Sequence, residues 1–265
     1  MRIKSLAGLH KRPSGEIPLA ELPTEILMST FAKAKAFTIN ELVRTIHERS
    51  YEWYGFTLAR REEPEVIVDI GLPVNDQNQE QYVSLAPEKI AAYRDSLPET
   101  MIINGWIHYH GDLACQHFSG TDDANQATVL DYVTALLRLP VAKVEIVIKD
   151  LALLHHEACG EEDLRRGSVS LVTDVPVTQA ALWETEYGGF CYAIVIGDAG
   201  WHEQEIHYKK RGILSGRTMV SQKTASIRFL DDGRRLTSSE LAALEEEVKT
   251  RLSPVPYIPP RLEGL

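Results

Sequence analysis

Cysteine is scarce in this chain of 265 residues, which contains only Cys115, Cys159 and Cys191. Their odd number and the lack of paired spacing exclude the pattern of a small secreted domain held together by disulfides. The N-terminal stretch has no apolar core of signal-peptide length, and no run approaches the roughly 20 apolar residues that cross a bilayer. We therefore expect a protein of the reducing cytoplasm that has no membrane partner.

Basic residues are in the minority, with 28 Lys and Arg against 38 Asp and Glu and a formal net charge of −10. Proteins that bind nucleic acid neutralise phosphates with clustered basic side chains, so this balance argues against a nucleic-acid partner and favours a neutral or basic one. The 17 glycines and 13 prolines are too few for a disordered or fibrous chain. One large domain with additions is the expected organisation.

Apolar periodicity predicts an α/β fold in which helices flank a central sheet. The predicted elements up to residue 150 are, in chain order, a helix over about 39–49 with a capping box at Thr38 and Glu41, two strands over 51–59 and 65–74 that form a hairpin, a short helix that begins at Pro87, a buried strand over 101–110, a helix over 122–137 and a strand over 143–149.

The later part of the chain carries fewer signals. A hairpin is expected around Gly197 to Gly200, in the same sheet as the earlier strands. Thr237 and Glu240 have the spacing of a capping box for a helix over 238–252. Outside these elements, the composition indicates a leader at 1–24, an insertion at about 150–187, and a C-terminal extension over 213–265 that ends in a proline-rich tail.

Residues that can carry chemistry are concentrated in 106–122, which reads WIHYHGDLACQHFSGTD. On a strand, His108 and His110 point to the same face at neighbouring positions, which suits a shared metal ion. If a helix begins near residue 120, Asp122 in its first turn can reach the same ion. Two imidazoles, one carboxylate and an open position are typical of a catalytic zinc site. The alternative is a histidine pair that is only hydrogen-bonded or faces solvent.

Two further motifs accompany the histidine pair. Glu52 lies three residues before a glycine in a predicted strand, and Ser119 lies three residues before Asp122. The set Glu-x-x-Gly, His-x-His and Ser-x-x-Asp resembles the JAMM (MPN+) metalloprotease family. The resemblance covers about residues 25–150 and implies an MPN-type (cytidine-deaminase-like) central mixed sheet flanked by helices, with a catalytic domain over 25–212.

The resemblance also implies a role for each matching residue. One zinc ion would be held by His108, His110 and Asp122 and would lower the pKa of its bound water. Glu52 would act as general base and then general acid, and Ser119 would donate a hydrogen bond to the oxyanion. Considered alone, Glu52 would be better explained as a solvated residue at a strand end. Ser119 can also be a helix N-cap, a role that is compatible with the first.

Family members typically hydrolyse the bond that follows the C-terminal glycines of ubiquitin or a ubiquitin-like modifier, and some act on prokaryotic modifiers. The segment 73–86 lies where they carry the insertion that grips the extended tail of the modifier. The alternatives are a catalytically silent MPN scaffold in a larger complex and a zinc amidohydrolase that acts on a small substrate. The sequence leaves open whether the protein forms a homo-oligomer or a complex with another partner.

The chain departs from the family pattern at Gly111, where the family usually has proline, and in a loop one residue longer before Ser119. In this loop His117 is expected to be a loop or substrate-contact residue rather than a ligand. Cys115 as the nucleophile of a Cys-His protease is the less favoured interpretation, because no third group is visible to orient the pair. The cluster HHEACGEE at 155–162 is interpreted as a surface loop.

Overall fold

The computed structural model describes residues 17–75, 87–111, 117–146, 153–155, 171–173, 182–198 and 200–252. The strands and helices in chain order are β1 (Ile26–Ser29), α1 (Thr30–His47), β2 (Trp53–Arg60), β3 (Val66–Ile67), β4 (Asp69–Gly71), α2 (Pro87–Asp95), β5 (Met101–Tyr109), α3 (Gly120–Leu136), β6 (Leu139–Ile146), β7 (Leu153–His155), β8 (Leu171–Thr173), β9 (Leu182–Gly197), β10 (Gly200–Gly212), β11 (Thr218–Thr224), β12 (Ile227–Leu230) and α4 (Ser238–Arg251). None of the helices in this described part of the chain is long and apolar enough to cross a membrane.

The fold is mixed α/β, with a seven-stranded central sheet in the order β11-β10-β9-β5-β2-β4. The seventh strand, β6, pairs with the first half of β9, and β5 pairs with the second half. The β5–β9 pair is parallel and the other pairs of this sheet are antiparallel. The predicted central sheet flanked by helices is therefore confirmed, and the predicted hairpin around Gly197 belongs to it.

Each face of the central sheet has its own apolar core. On one face α1 and α4 pack over β5, through residues such as Val43, Val248 and Ile107. On the other face α2 and α3 cover the sheet, and Ile90 and Val129 pack with residues such as Trp106. Successive residues of β5 alternate between the two cores because side chains of a strand point to opposite faces. His108 consequently lies on the α3 side of the sheet.

The predicted start of the first helix is wrong. α1 begins at Thr30, and its N-cap is Ser29, whose Oγ accepts a hydrogen bond from the Ala32 N–H at 3.0 Å. Thr38 therefore lies inside the helix and cannot form a capping box with Glu41. The first turns bury Phe31 together with Ala32 and Ala36. The periodic pattern understated the helix because alanines are weakly hydrophobic although they are the best helix formers.

A second sheet was not predicted. β1 lies between β12 and β3 in a three-stranded parallel sheet, so the predicted strand 65–74 is divided: β3 joins β1, whereas β4 forms the predicted hairpin with β2. β1 and β12 are four residues each and are about 200 residues apart in the chain. Such short runs show no periodicity of their own, and their pairing is decided by tertiary contacts.

The remaining predicted elements agree with the structure apart from their ends. α2 begins at Pro87, and α4 is capped by Thr237 and Glu240 as predicted. β6 begins earlier than predicted and includes Pro140. The strand accommodates this proline because the register of the β6–β9 pair shifts next to it. Of the predicted insertion at 150–187, the described residues form the short pair β7–β8 and the first residues of β9.

Candidate metal centre

The candidate centre lies where β5 ends beside the start of β2. The antiparallel ladder pairs Tyr54 with His108 and ends with Trp53 and Tyr109, and the same register, continued by one position, puts Glu52 opposite His110. Residues that are opposite each other in an antiparallel pair share a face of the sheet. Glu52, His108 and His110 therefore share the face that α3 covers, and α3 brings Asp122 to them from above the sheet.

The two imidazoles converge with one carboxylate. The Nε2 atoms of His108 and His110 are 2.6 Å apart. The Oδ1 atom of Asp122 is 3.3 Å from Nε2 of His108, and its Oδ2 atom is 3.6 Å from Nε2 of His110. All three residues are buried, and their ligand atoms lie within 4.8 Å of one another. This group could hold a metal ion, and among the residues that the structure describes it is the one such group found.

Hydrogen bonds do not satisfy all three contacts at once. A carboxylate only accepts, and each Nε2 atom carries at most one hydrogen. If both Nε2 atoms of His108 and His110 are protonated, both can donate to Asp122, but the two nitrogens then lie 2.6 Å apart with no hydrogen bond between them. If only one is protonated, its single hydrogen serves either the other imidazole or the carboxylate. A cation between the three donors would satisfy all of them, so the residues fit a bound metal ion.

The protonation states also favour metal binding. Burial lowers the pKa of His108, which outweighs the opposing hydrogen bond and charge of Asp122. Burial acts to raise the pKa of Asp122, but hydrogen bonds from His108, His110 and the Ser119 backbone hold it well below its ordinary value. A neutral imidazole and an ionised carboxylate are the forms that bind metals.

Asp122 is held in place by the start of its own helix. Ser119 is the N-cap of α3, and its backbone N–H donates to Oδ2 of Asp122 at 2.6 Å. In return, the Asp122 N–H donates to Oγ of Ser119 at 3.3 Å. This capping box fixes the carboxylate through Oδ2, which also lies near His110, while Oδ1 faces the imidazole of His108. The N-cap interpretation of Ser119 is therefore correct, and its hydroxyl hydrogen is still available to donate.

Glu52 is a buried carboxyl group next to the three donors, with 9% of its surface exposed. Burial raises its pKa to about 7, an effect that the charge of His110 opposes and the charge of Asp122 reinforces. The interpretation of Glu52 as a solvated residue is therefore wrong, because the side chain is enclosed. A carboxyl group with such a pKa exists in both protonation states near neutral pH.

Aromatic side chains enclose His108. The Trp106 ring stacks on the imidazole, with centroids 4.7 Å apart and an angle of 21° between the planes. The Phe118 ring lies 6.0 Å away on the loop before α3. These contacts restrict the rotation of the imidazole and lower the dielectric constant around the donors, which strengthens electrostatic interactions within the centre.

The chain leaves the centre through Gly111, which has a φ of +64° in the left-handed region. Proline has its φ fixed near −65°, so the proline usual at this place in the JAMM family does not fit this turn. The next residues, 112–116, which include Cys115, lie outside the described part of the chain. His117 is 82% exposed and is not one of the three donors.

The segment predicted to bind the substrate tail begins beside β2. Only its residues 73–75 are described. The Asn75 side chain exchanges hydrogen bonds with the Tyr54 backbone at 2.9 and 3.1 Å, and its backbone N–H donates to the Arg251 carbonyl at 2.8 Å. The start of the segment is thus fixed to β2, the strand that Glu52 immediately precedes. Of the cluster at 155–162, only the backbone of His155 is described.

One residue near the centre was missed by the sequence analysis. Glu203, in β10, accepts a hydrogen bond from the Phe118 N–H at 3.0 Å. It lies about 80 residues further along the chain, in a stretch whose alternation indicates an ordinary strand. No motif marks it, and only the pairing of β10 with β9 brings it to the centre.

No protein-family model matches the chain, and no curated protein matches it either. The interpretation of the centre therefore depends on the geometry of these residues and on the sequence motifs that they form.

Proposed function

We propose that the protein is a zinc-dependent metalloprotease of the JAMM (MPN+) type, which cleaves the peptide or isopeptide bond after the C-terminal glycine of ubiquitin or a ubiquitin-like modifier. The observation that carries the proposal is the buried convergence of His108, His110 and Asp122, with Glu52 on the same face of the sheet. These four residues are the ones that match the Glu-x-x-Gly, His-x-His and Ser-x-x-Asp motifs of the family. The mixed sheet flanked by helices is compatible with an MPN-type fold.

Zinc is the metal that this set of donors favours. Two imidazole nitrogens and one carboxylate oxygen are ligands of many zinc hydrolases, whereas magnesium and calcium sites consist mainly of oxygen ligands. When bound, the ion would polarise the scissile carbonyl group and lower the pKa of a water molecule. His108, His110 and Asp122 would hold it. Burial already favours the neutral form of His108, and hydrogen bonds from the two imidazoles and from the Ser119 backbone favour the ionised form of Asp122.

The other residues of the centre would handle protons and charge. Glu52, with a pKa raised to about 7 by burial, would take a proton from the attacking water and give it to the leaving amine. The Ser119 hydroxyl, which accepts from the Asp122 backbone, has its hydrogen left to donate to the oxyanion of the tetrahedral intermediate. Both roles need short contacts with a bound substrate.

An extended peptide tail is the substrate that the surroundings suit best. Next to the segment 73–75, a groove of about 440 Å³ is lined by Pro73, Val74, Tyr93, Arg251 and neighbouring residues of α2. Val74 is 55% exposed there, so an apolar side chain is available to a partner. A narrow tail can bind beside a strand through its backbone, with specificity from the side chains that it meets.

The first experiment measures zinc per chain in purified wild type and in Asp122→Ala. Asp123→Ala is the matched control, because Asp123 is the next residue of the same helix and is exposed. We expect one zinc in wild type and in the control, and none in Asp122→Ala. The second experiment tests cleavage of a substrate protein fused through Gly-Gly to ubiquitin-like modifiers, with loss of cleavage in Glu52→Gln.

Two outcomes would contradict the proposal. A wild-type protein that folds but binds no zinc would favour the alternative of a catalytically silent scaffold. A zinc-loaded protein that cleaves small amides but no modifier fusion would favour a zinc amidohydrolase with a small substrate.

A further inference from the structure

Glu203 faces the metal centre because β10 contains a bulge. Trp201 pairs with Ile196 and Glu203 pairs with Val195, so one extra residue of β10 lies between the two pairs. In a regular strand, residues two positions apart share a face. The bulge instead leaves Trp201 against the core on the α1 side and turns Glu203 to the face of Val195. Val195 pairs with His108, so Glu203 and His108 share the α3 side of the sheet.

Glu203 binds the end of the loop that leads from β5 to α3. Its Oε2 atom accepts the Phe118 N–H at 3.0 Å and lies 3.5 Å from Nδ1 of His117. The Glu203 side chain is 24% exposed, so this hydrogen bond to a charged acceptor is partly shielded from water. Hydrogen bonds to ionised acceptors are stronger than those between neutral groups, and shielding preserves that difference.

The anchored residue immediately precedes the N-cap of α3. The Phe118 ring lies 6.0 Å from the imidazole of His108. The next residue, Ser119, donates its backbone N–H to the carboxylate of Asp122 at 2.6 Å. Because Phe118 and Ser119 are adjacent, a displacement of the Phe118 amide would move the Ser119 N–H and loosen the carboxylate. Glu203 is thus connected to two of the three metal donors without contacting either.

We propose that Glu203 is a positioning residue of the metal centre, which fixes the start of α3 through the Phe118 N–H and thereby holds the Asp122 carboxylate toward the histidines. This inference deepens the proposed function and rests on it for the bound metal. The anchoring of the loop itself does not depend on the metal. Outer-shell partners of this kind orient ligands, and their loss typically lowers metal affinity 10- to 100-fold.

Glu205 provides a control on the same strand and the same face. Its Oε2 atom lies 2.8 Å from Nε2 of His207, and both residues are largely buried. Glu205→Ala leaves His207 without its carboxylate partner, so we expect a lower unfolding temperature with nearly unchanged Zn²⁺ affinity. This variant separates a general loss of stability from a specific loss of positioning.

The experiment compares wild type with Glu203→Ala, Glu203→Gln and Glu205→Ala as full-length chains. Zn²⁺ affinity is measured by competition with a chromophoric chelator. Hydrogen exchange of the Phe118 amide and of the first turn of α3 is measured on the metal-free proteins. We expect Glu203→Ala to bind Zn²⁺ about 10- to 100-fold more weakly and to exchange the Phe118 amide faster. Glu203→Gln should restore most of both properties, because its amide oxygen still accepts the N–H.

The two measurements distinguish failure of this inference from failure of the proposed function. If wild type binds no Zn²⁺, the proposed function fails, and faster exchange in Glu203→Ala would still support the anchoring of the loop. Unchanged exchange at Phe118 would overturn the inference whatever the metal content. So would equal losses in Glu203→Ala and Glu203→Gln, because a role of the hydrogen bond requires rescue by glutamine.

Discussion

Ser119 and Asp122 hold each other through two hydrogen bonds, one from the Ser119 N–H to Oδ2 of Asp122 at 2.6 Å and one from the Asp122 N–H to Oγ of Ser119 at 3.3 Å. The same carboxylate lies 3.3 Å from the imidazole of His108. A residue pair that begins a helix therefore also orients a candidate metal donor. The Ser-x-x-Asp spacing thus caps the start of α3 and also places the Asp122 carboxylate beside the histidines.

Replacement of Ser119 separates these two roles. Ser119→Ala loses Oγ but keeps the backbone N–H that binds Asp122, so we expect it to retain its metal ion. Loss of the cap should lower the free energy of unfolding by about 1 kcal/mol. Turnover should fall on the order of 10²- to 10³-fold, because the proposed oxyanion donor is removed. Zinc content, denaturant unfolding and cleavage of a modifier fusion are the measurements.

Ser119→Thr keeps a hydroxyl group and serves as the matched variant, with stability near that of wild type and more turnover than Ser119→Ala. Loss of the metal ion from Ser119→Ala would contradict the separation of roles, since it would mean that Oγ is needed to hold Asp122.

Glu52→Gln is expected to leave the metal ion bound and to abolish proton transfer. The amide has nearly the shape of the carboxyl group but cannot accept and return a proton, so turnover should fall on the order of 10²- to 10⁴-fold. The matched control is Glu62→Gln, at an exposed glutamate in the turn after β2. Full activity of zinc-loaded Glu52→Gln would show that another group is the base.

Zn²⁺ should stabilise the folded protein through the three donors. Binding to the folded state alone raises the free energy of unfolding by about 2.7 kcal/mol when the free ion is at 100 times its Kd. We expect Zn²⁺ to raise the Tm of metal-free wild type and a chelator to reverse the rise, with no such shift in His108→Ala. His117→Ala is the control, because His117 is 82% exposed and should leave the shift intact. A shift that is lost in His117→Ala would make His117 a ligand.

Local signals in the sequence predicted most of the central sheet and the residues of the centre. β5 was recognised because a continuous apolar run marks a buried strand, and α4 because Thr237 and Glu240 form its capping box. His108, His110 and Asp122 were identified from spacing, since two ligands on one strand and one in the next helical turn need no long-range information. The structure brings these three together as expected.

What the sequence did not predict depends on distant pairing or on weak local signals. β1 and β12 are too short to show a pattern, and they are strands because of distant partners: β1 pairs with both β12 and β3. The start of α1 was missed because Ala32 and Ala36 add only a weak apolar signal to Phe31 in its first turns. Glu203 reaches the centre through a bulge, and an extra residue in a ladder is visible only once the register with β9 is known.

The turn after His110 offers the last prediction, because Gly111 has a φ of +64°. A Cβ atom at this position would meet its nearest neighbour, Ser50, at 3.6 Å, which is an ordinary contact. The cost of Gly111→Ala is therefore backbone strain, about 1–2 kcal/mol of unfolding free energy.

Gly111→Pro should cost more and also weaken metal binding, because proline cannot adopt this φ and restricts the backbone of the preceding His110. Gly120→Ala, with no neighbour within 4 Å of its added Cβ, is the control and should be at least as stable as wild type. Denaturant unfolding and Zn²⁺ affinity are the measurements. Wild-type values of both in Gly111→Pro would mean that the backbone at position 111 adopts the φ near −65° that proline requires, and that the left-handed turn is not needed.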